Sequence, residues 1–204
     1  MTSYPVFLTD RRSGKTVGAE LIEGIGESQL RSVETEWKPV INARLRQLVA
    51  QGSPLSDWPE NWHWDWRKKL ERIRGLLAFR SLALVCENQV QGLMLLAMAG
   101  HSCRIPEQAK KDLIYVDYLE TAPWNRKTIV PQPRFGGVGT VMIRAAIEVS
   151  HEQDFRGRIG LHSLPAAEEF YDKVCGMTDL GRDESYQGLR YFEMTAAQAA
   201  AFSQ

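Results

Sequence analysis

Long apolar runs are missing from this sequence. The longest, around Gly92 to Gly100, falls far short of the roughly 20 residues that a bilayer-spanning helix needs. The N-terminus, MTSYPVFLTDRR, has no continuous apolar stretch of the secretion-signal kind. Cysteine is scarce: Cys86, Cys103 and Cys175 are far apart, and no two have the C-x-x-C spacing of a metal or redox centre. Net charge is missing too. The 25 Lys and Arg cancel the 25 Asp and Glu, so nothing in bulk draws the chain to a polyanion. These absences predict a cytoplasmic protein with reduced thiols, no membrane partner and no bound metal. A length of 204 residues suits one domain with a real core.

What is present is ordered. Two short apolar runs, PVFL and VGAELI, flank the turn-forming RRSGK and predict a strand pair. Leu30, Val33, Trp37, Ile41, Leu45 and Leu48 recur at helical steps, with Pro39 predicted to break or kink the helix. The turn-rich SPLSDWPENWHWDW follows. A second helical stripe, Trp66, Leu70, Ile73 and Leu77, carries Arg67, Lys68, Lys69, Arg72 and Arg74 on its other faces. The runs 81–86 and 90–99 about Glu87-Asn88-Gln89 predict a hairpin, and 114–121 (IYVDYLET) another strand. A helix is expected from the glycine cluster to about Gln153. A strand over 157–162, a helix over 166–174 and a strand over 189–195 complete the chain. The order predicts a mixed α/β sheet, antiparallel in its first half with βα units in its second.

The segment Arg134-Phe-Gly-Gly-Val-Gly-Thr140 packs glycines at 136, 137 and 139 where a helix begins. It is no P-loop, because no lysine follows. It is a poor dinucleotide fingerprint, because Met142 stands where a third small residue belongs. Two readings remain open on the residues alone. Glycines at a helix N-terminus let a phosphate approach unpaired N–H groups that carry partial positive charge, with Arg134 adding a cation. Alternatively the segment is only a tight turn.

In context, Arg134-Phe-Gly-Gly137-Val-Gly139 resembles the R/Q-x-x-G-x-G/A motif of the GNAT N-acetyltransferase superfamily. A strand precedes it, and a helix, the strand RIGLHSL and the helix PAAEEFYDKVCGM follow it. The resemblance covers Phe79 to Thr195. It implies a GNAT-like mixed twisted sheet of about seven strands flanked by helices, with the fourth and fifth strands splayed. The whole chain, 1–204, would form one acyltransferase domain: 79–195 the acetyl-CoA-binding core and 1–78 a variable acceptor-side region. Acetyl-CoA would be the co-substrate. Its pantetheine arm would lie on backbone groups of Leu119, Glu120 and Thr121. Its pyrophosphate would meet Arg134 and the backbone of Phe135, Gly136, Gly137, Val138, Gly139 and Thr140.

Acetyl transfer to an amine needs a group to take the amine's proton, an oxyanion donor and a stabiliser for the leaving thiolate. The resemblance assigns the last role to Tyr171, although the family spaces that tyrosine four residues before the glycine and here Cys175 makes it five to Gly176. For the base, alternation puts Tyr115, Asp117, Leu119 and Thr121 on one strand face and Val116, Tyr118 and Glu120 on the other. Asp117 and Glu120 are the candidates, Asp117 preferred, with His162 at a strand end ranked below them. Trp58, Trp62, Trp64 and Trp66 beside a basic helix suggest either a nucleic-acid surface, disfavoured by the zero net charge, or the wall of an acceptor pocket. Trp62, Trp64 and Trp66 cannot share one helical face, so at least one is expected to point away from the core. The expected function is N-acetyl transfer to a primary amine of a small molecule or protein. The alternative is a non-catalytic acyl-CoA-binding module. The sequence leaves the acceptor and the oligomeric state, a homodimer included, open.

Overall fold

A computed structural model describes residues 2–203. Nine strands form one mixed sheet in the order β6-β1-β2-β3-β4-β5-β7-β9-β8. They are β1 (Ser3–Asp10), β2 (Thr16–Glu23), β3 (Phe79–Cys86), β4 (Gln89–Ala97), β5 (Ile114–Thr121), β6 (Phe135–Gly136), β7 (Ile159–Ser163), β8 (Thr178–Asp183) and β9 (Leu189–Met194). The helices are α1 (Glu27–Ser32), α2 (Lys38–Ala50), α3 (Trp66–Arg72), α4 (Val138–Glu152) and α5 (Ala196–Phe202).

The expected count of about seven strands is therefore corrected to nine. The added β6 is two residues long and lies inside the glycine segment. The added β8, TDLGRD, is a charged strand at the edge of the sheet beside β9, and its outward residues carry no apolar alternation to announce it. The hairpin of β3 and β4 turns on Glu87 and Asn88, with φ of 51° and 60°, the left-handed pair that two-residue hairpins require. The basic helix is shorter than its stripe predicts. It stops at Arg72, and Leu77 lies in the loop, 92% exposed.

The chain divides into two compact units, Met1–Leu76 with Ser81–Leu93 and Glu120–Gly139, and Leu77–Arg80 with Met94–Leu119 and Thr140–Gln204. In the first, Leu30, Val33, Trp37, Ile41 and Leu48 are buried along α1, α2 and the turn between them as their spacing predicts. Pro39 does not break this helix. A π-turn over Val33–Trp37, closed by Lys38 N–H to Val33 O, comes just before it and places Pro39 in the first turn of α2, where its missing N–H costs little. Trp37 is fully buried and donates its indole N–H to Val90 O at 3.1 Å. In the second unit, Met142, Ile143, Ala146 and Ile147 form one fully buried face of α4. Ser150 on the next turn donates to Arg158 O at 2.8 Å. Ile114, Ile159, Phe192 and Met194 complete that core. All three cysteines are free and buried. Among the described residues no helix is long and apolar enough to cross a membrane.

Candidate active site

The glycine segment is held by side-chain amides. Gln91 is wholly buried in β4, and its Oε1 accepts from Trp124 Nε1 at 2.8 Å and Asn125 Nδ2 at 2.9 Å. Asn125 Oδ1 in turn accepts the N–H of Phe135 at 3.0 Å. Arg11 N–H reaches Arg134 O at 2.8 Å, and Gly136 pairs in register with Thr9 of β1. The expected set of phosphate donors is thus narrowed, since the Phe135 N–H is already used. The first-turn N–H groups of α4, from Val138 onward, have no intrahelical acceptor. Gly137 leads into that turn exposed, with φ of 88°. A Cβ there would meet only Leu8 Cδ2, at 4.0 Å, so the glycine is required by its backbone angle rather than by space. Arg134 lies beside this entry. Its guanidinium pairs with Glu87, bonds Gln89 Oε1 at 3.3 Å and lies 4.8 Å over the Phe135 ring. Gln91 and Asn125 escaped sequence reasoning. The only signal, and for Gln91 alone, was the pair of amides Gln89 and Gln91 at the head of the apolar run QVQGLMLLA.

Glu120, near the end of β5, is 5% exposed. Its two oxygens accept from Asn61 Nδ2 and Trp66 Nε1, each at 2.6 Å, and Arg126 Nη1 is 3.5 Å away. Arg126 Nη2 also donates to Asn61 Oδ1 at 2.5 Å. Burial pushes the Glu120 carboxyl up to about 7 against the opposing pull of its donors. Both of its oxygens are occupied, so this carboxylate ties the Trp-rich segment to β5. Trp66 is 2% exposed and Trp62 47%, which matches the expectation that these residues diverge. Trp62 stacks edge-on to Trp58, centroids 5.5 Å apart.

Among the described residues the parallel pair β5 and β7 is joined only at Ile114↔Ile159 and Tyr115↔Gly160. Beyond Tyr115 the strands part, while β7 stays paired with β9 as far as Ser163. Asp117 and Leu119, both half-buried, follow Tyr115 on its face of β5. Past the parting stands His162, whose Nδ1 is 2.7 Å from Tyr115 Oη and whose Nε2 is 3.1 Å from Asp183 Oδ2.

Tyr171 belongs to a helical stretch over 165–174. It opens as a tight 3-10 turn at Pro165–Ala167 and ends as a π-turn at Phe170–Val174. Its ring packs between Phe170, at 5.2 Å, and Phe192 of β9, at 5.9 Å. Burial raises its pKa above the ordinary tyrosine value, so the phenol stays protonated across the working pH range. Phe192 and its neighbour Tyr191 point to opposite faces of β9. Tyr191 lies 4.8 Å from His162, so Tyr171 and His162 approach β9 from opposite faces.

No family model and no curated protein matches the chain in sequence. Solved structures do match its fold. The GNAT domain of S. lividans PAT aligns over 94% of this chain and 96% of its own at 16% identity, with a TM-score of 0.55. An N-acyl amino acid synthase from uncultured soil microbes aligns over 90% and 94% at 9% identity, with a TM-score of 0.52. Spermidine N-acetyltransferase from Vibrio cholerae, solved with CoA and spermine, aligns over 88% and 98% at 15% identity, with a TM-score of 0.51. The glycine-headed α4, the parting of β5 from β7 and these alignments agree on one conclusion: over most of its length this chain has the fold of the GNAT acetyltransferases.

Proposed function

We propose that the protein transfers an acetyl group from acetyl-CoA to a primary amine by direct attack. The observation that carries this reading is the parting of β5 from β7 after Tyr115 and Gly160. It leaves the β7-facing edge of β5, through Leu119, Glu120 and Thr121, without ladder partners from β7. An extended acyl-thioester arm with amide groups can take their place. The donors at the head of α4 suit the pyrophosphate: Val138, Gly139 and Thr140 offer N–H groups, Gly136 and Gly137 give close access, and Arg134 is within the same segment. Phe135 supports that segment through its bond to Asn125.

The chemistry follows from the two faces. A thioester carbonyl beside β5 places its oxygen toward a strand N–H, which stabilises the charge that develops in the tetrahedral intermediate. Tyr171 acts on the leaving sulfur. A phenol with a raised pKa gives up its proton reluctantly, so its main contribution is a donated hydrogen bond to the developing thiolate. Asp117, on the Tyr115 face, draws a protonated amine toward the parting. Glu120 anchors the Trp-rich segment and leaves the proton transfer to others. The three buried free cysteines offer no exposed thiol for an acetyl-enzyme intermediate, which favours direct transfer.

The test is thiol release from acetyl-CoA with a panel of amines: spermidine, a lysine-containing peptide and an aromatic ethylamine. Release well above the rate without acceptor supports the enzyme. Tight acetyl-CoA binding with no turnover on any amine would mean a binding module.

A further inference from the structure

We propose that Asp183, His162 and Tyr115 form a proton relay that deprotonates the acceptor amine, an inference that rests on the acetyl-transfer reading. The three side chains form one hydrogen-bonded chain. Asp183 Oδ2 accepts from His162 Nε2 at 3.1 Å, which fixes the tautomer and leaves Nδ1 as an acceptor. Tyr115 Oη, 2.7 Å from Nδ1, therefore donates to it and keeps its own lone pairs as acceptors. Tyr115 is the last residue of β5 paired to β7, so this hydroxyl belongs to the point where the strands separate.

The rings are held rigidly. His101 stacks on Tyr115 at 4.2 Å and 8°, and Tyr186 stacks on His162 at 3.8 Å and 5°. Gly160 makes room for this arrangement: a Cβ there would lie 2.4 Å from Tyr191 Oη. Asp183 is itself positioned by Ser185, whose N–H and hydroxyl reach Oδ1 at 3.0 and 2.5 Å, and by Arg104 Nη1 at 2.6 Å from Oδ2. A buried imidazole needs a partner at each ring nitrogen, and His162 has both. Here a carboxylate, an imidazole and a phenol meet at the parting of the strands.

The electrostatics keep His162 neutral and free to take a proton, while burial raises the Tyr115 pKa, so the phenol passes its proton on only as it takes another. The groups facing His162 are Asp183 from β8, Tyr186 from the turn after it, Tyr191 from β9, Tyr115 from β5, and Arg104 and His101 from the β4–β5 loop. Burial holds the His162 pKa below its ordinary value and Arg104 adds to this, while Asp183 pulls it up. His101 is likewise lowered by burial, then by Arg104 and His162. Both rings are neutral at neutral pH. In the step, the ammonium gives one proton to Tyr115 Oη as the phenolic proton passes to His162 Nδ1. The N–H electron pair stays on nitrogen and becomes the nucleophile. Asp183 stabilises the imidazolium until its Nδ1 proton passes to solvent, and Tyr115 is left neutral with the proton it took from the ammonium. The second proton that nitrogen loses on forming the amide balances the one the sulfur takes.

Tyr115→Phe removes the hydroxyl and keeps the stack on His101. Single-turnover acetyl transfer at pH 7, on whichever amine of the panel the wild type uses, should fall about 100-fold, and the loss should shrink as the pH approaches the amine pKa of roughly 10. Acetyl-CoA affinity should hold. Nitrogen NMR of the wild-type protein should show His162 Nδ1 unprotonated at pH 7.5. A Tyr115→Phe rate within about threefold of wild type, a loss that higher pH does not rescue, or an Nδ1–H tautomer overturns the relay alone. A pH-rescued loss in Asp117→Asn with none in Tyr115→Phe also overturns it, in favour of Asp117 as base. A wild type that binds acetyl-CoA but releases no thiol with any amine overturns the acetyl-transfer reading and the relay with it.

Discussion

Cys175 donates its amide N–H to the carbonyl of Phe170, 3.0 Å away and five residues back, so the segment bearing Tyr171 closes on a wide π-turn. That turn absorbs the one residue by which this chain departs from the spacing expected between the tyrosine and Gly176. Met177 N–H then bonds Tyr171 O at 3.0 Å, fixing the backbone on the far side as well. A π-turn inside a short helix is uncommon and frequently sits at a functional site. Tyr171→Phe keeps the packing against Phe192 and removes only the hydroxyl. With chemistry rate-limiting, kcat should drop by about 100-fold or more while acetyl-CoA affinity barely changes. A near-normal kcat in a pre-steady-state assay would assign the thiolate to water or another donor.

The Gln91–Asn125–Phe135 chain predicts a linked loss. Gln91→Leu is close in size but strands two donors, the indole N–H of Trp124 and the amide of Asn125. A stranded buried donor costs about 1–3 kcal/mol, so the melting temperature should fall. At a temperature where the variant is folded, calorimetry should also show weaker CoA binding, because the segment before α4 loses its support. A destabilised variant with unchanged CoA affinity would show that the chain serves stability alone.

Glu120 predicts a pH dependence with a defined sign. Burial raises its folded pKa from the ordinary 4.5 to about 7, so the folded state favours the protonated acid. Its contribution to stability is complete below about 4.5 and is lost as pH rises through about 7, a swing on the order of 3 kcal/mol. Glu120→Gln cannot titrate, and its amide also faces a donor, either Asn61 or Trp66. The variant should melt lower than wild type at pH 4.5, with the gap narrowing toward pH 7.5. A gap that is flat or widens across this range would place the folded pKa at or below its ordinary value.

Two tryptophans should separate stability from acceptor choice. Trp66 is buried and bonded to Glu120, so Trp66→Ala should cost about 3–5 kcal/mol. Trp62→Ala should melt almost normally and keep acetyl-CoA affinity. If Trp62 lines the acceptor pocket, its loss raises the acceptor KM. An unchanged KM would move the search for that pocket away from the Trp-rich segment.

What could be read in advance followed periodicity. IYVDYLET is β5 to the residue, and the apolar face of α4 and the β3–β4 hairpin sit where their patterns put them. The glycine segment was legible because glycine leaves a local mark. β8 was not, since an exposed edge strand with Asp179, Arg182 and Asp183 has the composition of a loop. The π-turns before Pro39 and around Tyr171 were hidden because one inserted residue hardly disturbs an apolar stripe. The relay was hidden for another reason. Tyr115, His162 and Asp183 come from three separate strands, and only the sheet order brings them together. Sequence reasoning weighed His162 alone, without the partners that give it a direction.

The surface position of Trp62 also has an optical consequence. Of the six tryptophans, Trp37 and Trp66 are buried and Trp62 has its ring exposed. Its emission should be red-shifted and open to quenching by iodide, while the buried indoles emit further to the blue and resist the quencher. A wild-type protein compared with Trp62→Phe therefore contains its own fluorescent reporter. If an amine acceptor shields that ring on binding, the quenchable fraction of the emission will fall, without any label being attached.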